Sequence, residues 1–341
     1  MAGKNDKKIN DYLQKRLKYW SFSFTNKDAM ASALGFDSWK EGTTEYTDEQ
    51  KAKVAEFTSN LKRDTIVTGG CIASMLLGED INDIDIYFAN QETARVVSQY
   101  YLAEMNSKLE GNDRVSDWKV IDNDTGGVAI FIKSQGIAGE EIETSQYQYF
   151  EMLELNAIDE FFEKYRAKFD KERKHAVRMM TSNAITLNNG IQIILRFAGD
   201  PATIHENFDF VHATNYWTEK TGVVYKIDAL KALLQRRLIY VGSKYPVSSL
   251  FRIRKFLKRG FTISAGEITK IAYDVSKLDL DDPKVLHDQL VGVDYAYFRE
   301  VISILSKNSD RQLDRTYLFS IIEQVFDGGE EHDDEDADTD S

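Results

Sequence analysis

Asp83 and Asp85 are separated by a single isoleucine in the segment INDIDIYF, and the pair Gly69-Gly70 precedes them by about a dozen residues. In an extended strand alternate side chains share a face, so the two carboxylates project together while Ile84 and Ile86 point to the opposite, core side. Like charges at that spacing repel and raise each other's proton affinity unless a cation lies between them. A divalent ion such as Mg²⁺ or Mn²⁺ is the obvious candidate. A glycine pair at a strand-to-helix junction lets backbone N–H groups approach phosphate oxygens, and the helix N-terminus favours anions. Coupled, the two features suit two-metal phosphoryl transfer from an NTP. The glycine turn grips the triphosphate, and the carboxylates hold ions that activate a hydroxyl and stabilise the leaving pyrophosphate.

These residues need a scaffold, and the pattern around them supplies one. DEQKAKVAEFTSNLKR reads as an amphipathic helix starting near Thr47, with acids in its first turn and bases in its last. A strand is expected at Thr65 to Thr68, then the glycine pair, a short helix with Ile72, Met75 and Leu76 on one face, and a strand at Ile84 to Phe88. Helix suits QETARVVSQYYLAEMNSKL, followed by strands in DWKVID and GVAIFIKS across an Asn-Asp-Thr-Gly-Gly turn. A charged helix is expected over 157–173, then strands SNAITL and IQIILRF joined by an Asn-Asn-Gly hairpin turn, and a further strand in FDFVHATNYW. The alternation predicts an α/β fold, a mixed sheet flanked by helices, with mostly helical sequence from Ile227 to Phe326.

Length and composition divide the chain further. Its 341 residues, 42% of them hydrophobic, suffice for about two cores. The divisions read as a helical N-terminal extension over 1–45, a catalytic α/β domain over 46–225, a helical domain over 226–326 and an acidic tail over 327–341. That tail holds nine acids and no Lys or Arg, so it accounts for most of the net charge of -13 and reads as disordered. It suits a nucleic-acid mimic, a docking arm for a protein partner or a solubiliser. By contrast, Ala229 to Gly266 holds nine Lys or Arg and no acid. No apolar run approaches the ~20 residues that cross a bilayer, and the N-terminus lacks a secretory apolar region, so a cytoplasmic protein without membrane contact is expected. The lone Cys71 excludes an internal disulfide and reads as a small buried hydrophobe.

The stretch GGCIASMLLGEDINDIDI resembles the nucleotidyltransferase superfamily, polymerase beta-like, that includes DNA polymerase beta, poly(A) polymerases and CCA-adding enzymes. It is most similar to the bacterial poly(A) polymerase and CCA-adding branch, whose signature is a glycine pair, a spacer ending Leu-Leu-Gly, and Asp-x-Asp. Gly69, Gly70, Leu77, Gly78, Asp83 and Asp85 match it, while Ala73 and Ser74 stand where the family carries Arg-Asp. RMMTSNAITL resembles a second family segment, with Arg178, Thr181, Asn183 and Ala184 in matching positions. YPVSSLFRIRKFLKRGF is faintly similar to a helical segment behind the catalytic sheet. The resemblance implies transfer of a nucleoside monophosphate to a hydroxyl. In it Asp83 and Asp85 bind Mg²⁺ or Mn²⁺, Gly69 and Gly70 hold phosphates, and Arg178 and Asn183 position the nucleotide.

The superfamily's catalysis usually takes a third carboxylate from a neighbouring strand. Asp209, in the apolar-acid-apolar run FDFVHA, is the candidate for both catalysis and metal binding; the competing strand GVAIFIKS has no acid. His205 and His212 flank it without a ligand spacing and read as structural. The acceptor is most simply an RNA 3′ end, contacted through Arg236, Arg237, Arg252, Arg254, Lys255, Lys258 and Arg259, with Tyr240, Tyr245, Phe251 and Phe256 interleaved for stacking. Two alternatives stay open: the same transfer to a protein or small molecule, and a catalytically inactive binding or structural protein that keeps the fold.

Overall fold

The computed structural model describes residues 2–36, 45–109, 118–123, 125–132 and 174–280, together with 282, 285 and 289. The expected helix over 157–173 and the acidic tail lie outside the described residues. By contacts the chain divides into two compact units, 1–237 and 238–341. The helix Ile227–Leu234 therefore stands with the first unit.

The first unit begins with α1 (Ala2–Ser21), α2 (Lys27–Ala33) and α3 (Asp48–Asp64). Thr47 starts α3 with a capping box, its hydroxyl accepting from Gln50 N while the Gln50 side chain accepts from Thr47 N. The chain continues through β1 (Thr65–Thr68), α4 (Gly70–Leu77), β2 (Ile84–Phe88), α5 (Gln91–Ser107), β3 (Trp118–Asp122) and β4 (Val128–Ile132). After the undescribed segment come β5 (Val177–Met180), β6 (Ala184–Leu187), β7 (Ile191–Ala198) and α6 (Pro201–His205). A 3₁₀ turn (Val211–Ala213), β8 (Tyr216–Thr218), β9 (Gly222–Val224) and α7 (Ile227–Leu234) follow.

Among the described residues seven strands form one mixed sheet in the order β5-β6-β7-β2-β1-β8-β9, with β2 and β7 parallel and the other neighbours antiparallel. The α/β class read from the sequence is the one observed. Among the described residues β3 and β4 form a separate two-stranded sheet, with Gly126 bridging to Phe197 of β7 and Ile130 N donating to Ser182 O at 2.9 Å. Alternation along the strands assigns the two faces. Ile84, Ile86, Ile185, Ile193 and Leu195 are fully buried on one side, under α1, α2, α3 and α5. The opposite side carries a smaller apolar cluster of Ile66, Tyr87 and Ile204. Asp85 shares that second face, two positions from Tyr87 on the same strand.

The N-terminal residues are part of the main core. Leu13 and Trp20 of α1 are buried to within about 1%, and the Trp20 indole donates to Tyr101 of α5 at 3.0 Å. The expected strand in FDFVHATNYW is a correction: Phe210 makes an isolated bridge, Val211–Ala213 turn as 3₁₀ helix, and only Tyr216–Thr218 is strand. The turn satisfies Gly69 and Thr68 with the carbonyls of Ala213 and Asn215, which a continuous strand would have committed elsewhere.

In the second unit, α8 (Pro246–Lys258) and α9 (Ala265–Val275) pack around buried Tyr240, Phe261 and Ile271. Glu267 of α9 accepts the Tyr240 amide at 2.8 Å, and Asp274 accepts the Tyr240 hydroxyl at 3.1 Å.

Candidate active site

The glycine corner is built by backbone conformation. Gly69 follows β1 with φ 93° and ψ -150°, a conformation that L side chains avoid, and Gly70 opens α4. The Gly69 amide donates to Ala213 O at 3.1 Å, tying the corner to the 3₁₀ turn. A Cβ built on Gly69 would lie 2.9 Å from Asp85 Oδ2, so glycine is also required by the carboxylate packed against it. Gly70 is exposed, with nothing within 4 Å of a Cβ placed there.

The acidic pair stands where alternation put it. Asp83 is exposed just ahead of β2, Asp85 is half-buried within it, and Ile84 between them is buried. The entry to β2 is pinned from β7's side: Ile84 N donates to Gly190 O at 2.8 Å, and Ile84 and Asp85 pair with Ile191 and Gln192. The Asn-Asn-Gly turn read as a hairpin joins β6 to β7 as expected. Extending the β1–β2 register past Val67↔Ile86 sets Thr68 opposite Asp85 on one face. Cys71, fully enclosed behind this corner, has its thiol pushed up by burial and then by the Asp85 charge.

Beside Asp85 lies a polar chain that sequence reasoning missed. Thr68 Oγ1 sits 2.8 Å from His205 Nε2, and His205 Nδ1 sits 2.8 Å from Lys226 Nζ. Thr68 donates its proton to Asn215 O at 2.9 Å, and Lys226 N donates to Asn215 Oδ1 at 2.9 Å. Burial, and then the Lys226 charge, push His205 down to about 4. Lys226 is also lowered, chiefly by desolvation. Nothing local marks these residues, because Thr68 and His205 are 137 positions apart.

The other expected residues are distributed. Asp209 is 8% exposed in the bend before the 3₁₀ turn, on the same segment that anchors Gly69. Among the described residues no three side chains from His, Cys, Asp and Glu converge to hold an ion, so Asp209 is not gathered with Asp83 and Asp85 into one triad here. Arg178 is exposed on edge strand β5, where the register shifts between Val177 and Met179. Asn183, half-buried in the β5–β6 turn, is held by its amide donating to Thr181 Oγ1 at 3.3 Å and its carbonyl accepting from Leu195 N.

The basic run divides between the units. Arg236 belongs to the first and is engaged by Glu79 at 3.0 Å; Arg237 is exposed. Arg252, Arg254, Lys255, Lys258 and Arg259 belong to the second, where Arg259 lies over the Phe256 and Phe261 rings. Tyr240 and Tyr245 are buried and offer no stacking face. Phe251 and Phe256 are half-buried.

Two carboxylates fit a Mg²⁺ or Mn²⁺ ion that arrives with a nucleotide, because Mg²⁺ is commonly held by one or two carboxylates plus substrate phosphates.

Residues 37–236 match the family model described as Gabija anti-defense 2 family protein. No curated protein matches the chain. Among solved structures, the Thermotoga maritima CCA-adding enzyme complexed with tRNA is similar at 12% identity, with 86% of this chain and 54% of that chain covered and a TM-score of 0.37. A CCA-adding enzyme in complex with CTP is similar at 14% identity, over 82% and 51% of the two chains, with a TM-score of 0.35. The Bacillus stearothermophilus CCA-adding enzyme in complex with CTP is similar at 13% identity, over 81% and 51%, with a TM-score of 0.30. The chain spans about half the length of these structures.

Proposed function

This chain belongs to the Gabija anti-defense 2 family, and on that premise we propose that it is a divalent-metal-dependent nucleotidyltransferase of the polymerase beta-like superfamily. It moves a nucleoside monophosphate from an NTP to a hydroxyl acceptor, most simply an RNA 3′ end. The observation that carries the reading is the seating of Asp85 Oδ2 against Gly69, which brings a metal-binding type of carboxylate and a phosphate-binding type of turn into one corner. Asp83 and Asp85 hold Mg²⁺ or Mn²⁺, which supplies charge neutralisation at the triphosphate and activation of the attacking hydroxyl. The exposed Gly70 amide at the start of α4 offers a donor to a phosphate oxygen. Arg178 and Asn183 are the proposed nucleotide-positioning residues.

A second reading, a nucleotide-binding module without transferase activity, draws support from Ala73 and Ser74, which stand where the resembled family carries Arg-Asp. One experiment separates the two. The protein is incubated with each labelled NTP and Mg²⁺ or Mn²⁺, with RNA, cell extract or protein as acceptor, beside an Asp83→Ala, Asp85→Ala variant. Label on RNA that the variant fails to transfer supports the first reading, and label on a polypeptide or metabolite moves the acceptor class. Nucleotide binding without label transfer supports the second.

A further inference from the structure

At the opposite end of β1 from the glycine corner lies a cavity of about 620 Å³, between α1, the end of α3 and β8. Its floor is apolar: Leu17, Trp20, Leu61 and Trp217 are buried beneath it. Its rim carries two large aromatic rings in water, Tyr19 at 59% and Phe22 at 58% exposure. Lys15, Lys18 and Lys62 line it and form no ion pair among the described residues. Lys62 Nζ lies over the Phe22 ring at 5.7 Å. Asp11 and Glu219 also line the cavity, so the contrast in charge is local rather than uniform.

Burial in the core explains Leu13, Leu17 and Trp20, but it does not explain two rings left in solvent beside three lysines. Within a chain of net charge -13, α1 carries six bases against two acids. Exposed rings accept stacked bases, and neighbouring ammonium groups meet the phosphates that join them. The volume lies within the range of about 300–1,000 Å³ typical of small-ligand pockets.

We infer that this α1 groove binds nucleotide units, either free or within a single strand, by stacking bases on Tyr19 and Phe22 and pairing phosphates with Lys15, Lys18 and Lys62. A base arriving on Phe22 displaces Lys62 from the ring and frees its ammonium for phosphate. An acidic peptide would satisfy the lysines but would leave the rings without stacking partners.

Binding is measured in EDTA on the full chain carrying Asp83→Asn and Asp85→Asn, which silences the metal-dependent corner and keeps this test independent of the transferase proposal. The probes are a fluorescein-labelled single strand of about 12 nucleotides, as DNA and as RNA, the corresponding mononucleotides and poly-glutamate, with Trp20 and Trp217 fluorescence as a second readout. The groove is expected to bind at least one probe, to weaken as salt rises, and to lose about tenfold or more in affinity with Tyr19→Ala and Phe22→Ala. Lys18→Glu is expected to weaken binding and to flatten its salt dependence. All three side chains are exposed, and an unchanged circular dichroism spectrum separates lost binding from lost folding. Tighter binding of the strand identifies a single-stranded ligand; equal binding of the mononucleotide identifies a free one. No binding of any probe, binding that the variants leave unchanged, or binding of poly-glutamate alone overturns the inference.

Discussion

Thr68 Oγ1 and His205 Nε2 meet at 2.8 Å, and the proton inventory of this contact defines the imidazole's state. Thr68 has one hydroxyl proton and donates it to Asn215 O, so its oxygen accepts from Nε2–H. Nδ1 is then unprotonated and accepts from Lys226 Nζ. The imidazole is neutral and cannot gain a proton without facing the lysine ammonium. Burial first, and then this lysine charge, lower its pKa.

Stability should therefore fall as pH drops below the ordinary histidine value of 6.5 toward about 4. In that window the unfolded chain binds a proton at this position and the folded chain does not, so acid favours unfolding. The linked loss is about 2 kcal/mol after allowance for solvent screening. Urea unfolding of the wild type and His205→Gln across the window checks it. The variant should show a shallower pH dependence, and equal slopes would remove His205 as the source.

Gly69→Ala and Gly70→Ala should separate cleanly. The first forces an L residue to φ 93° and pushes a methyl group to 2.9 Å from Asp85 Oδ2, and the second meets nothing within 4 Å. We expect Gly69→Ala to cost about 1–3 kcal/mol and to abolish metal-nucleotide binding, while Gly70→Ala stays within about 0.5 kcal/mol of wild type. Thermal melts and calorimetric titration with Mn²⁺ and ATP measure both. Similar behaviour of the two variants would detach the Gly69 conformation from the site.

Asp85→Asn keeps the side chain's shape and removes its charge. Affinity for ATP in the presence of Mn²⁺ should fall by about tenfold or more, a change of about 1.4 kcal/mol, with the melting temperature little altered. Unchanged affinity would show that Asp85 does not ligate the ion.

Leu13→Ala tests whether α1 belongs to the core. Leu13 has no exposed surface and packs in the main cluster, so the truncation should cost about 2–5 kcal/mol. A variant as stable as wild type in urea would show that α1 detaches without consequence.

Cys71 should resist thiol reagents in the native state. It is 3% exposed, and burial together with the Asp85 charge disfavours its thiolate. Reaction with a chromogenic disulfide should proceed at the rate of opening; rapid modification of the folded protein would place the thiol at the surface.

Local pattern alone carried β1, β2, α4 and the β6–β7 hairpin, because strand alternation, glycine placement and turn chemistry act between near neighbours. Asp83-Ile84-Asp85-Ile86 was legible as two acids facing one way and two isoleucines the other, since strand geometry leaves no other arrangement. The same reasoning failed at Phe208 to Asn215, where the backbone turns to serve Gly69 and Thr68, donors distant in sequence.

What the sequence by itself determined is the corner: a glycine pair, a short helix and an acidic strand whose spacing constrains their chemistry. What only the tertiary structure decided is their company. Sheet order placed β1 between β2 and β8, which brought the 3₁₀ turn and the Lys226–His205–Thr68 chain against the corner. It also folded α1 into the core while leaving Tyr19 and Phe22 in solvent. Such contacts arise from the joint packing of elements far apart along the chain, and no local periodicity encodes them.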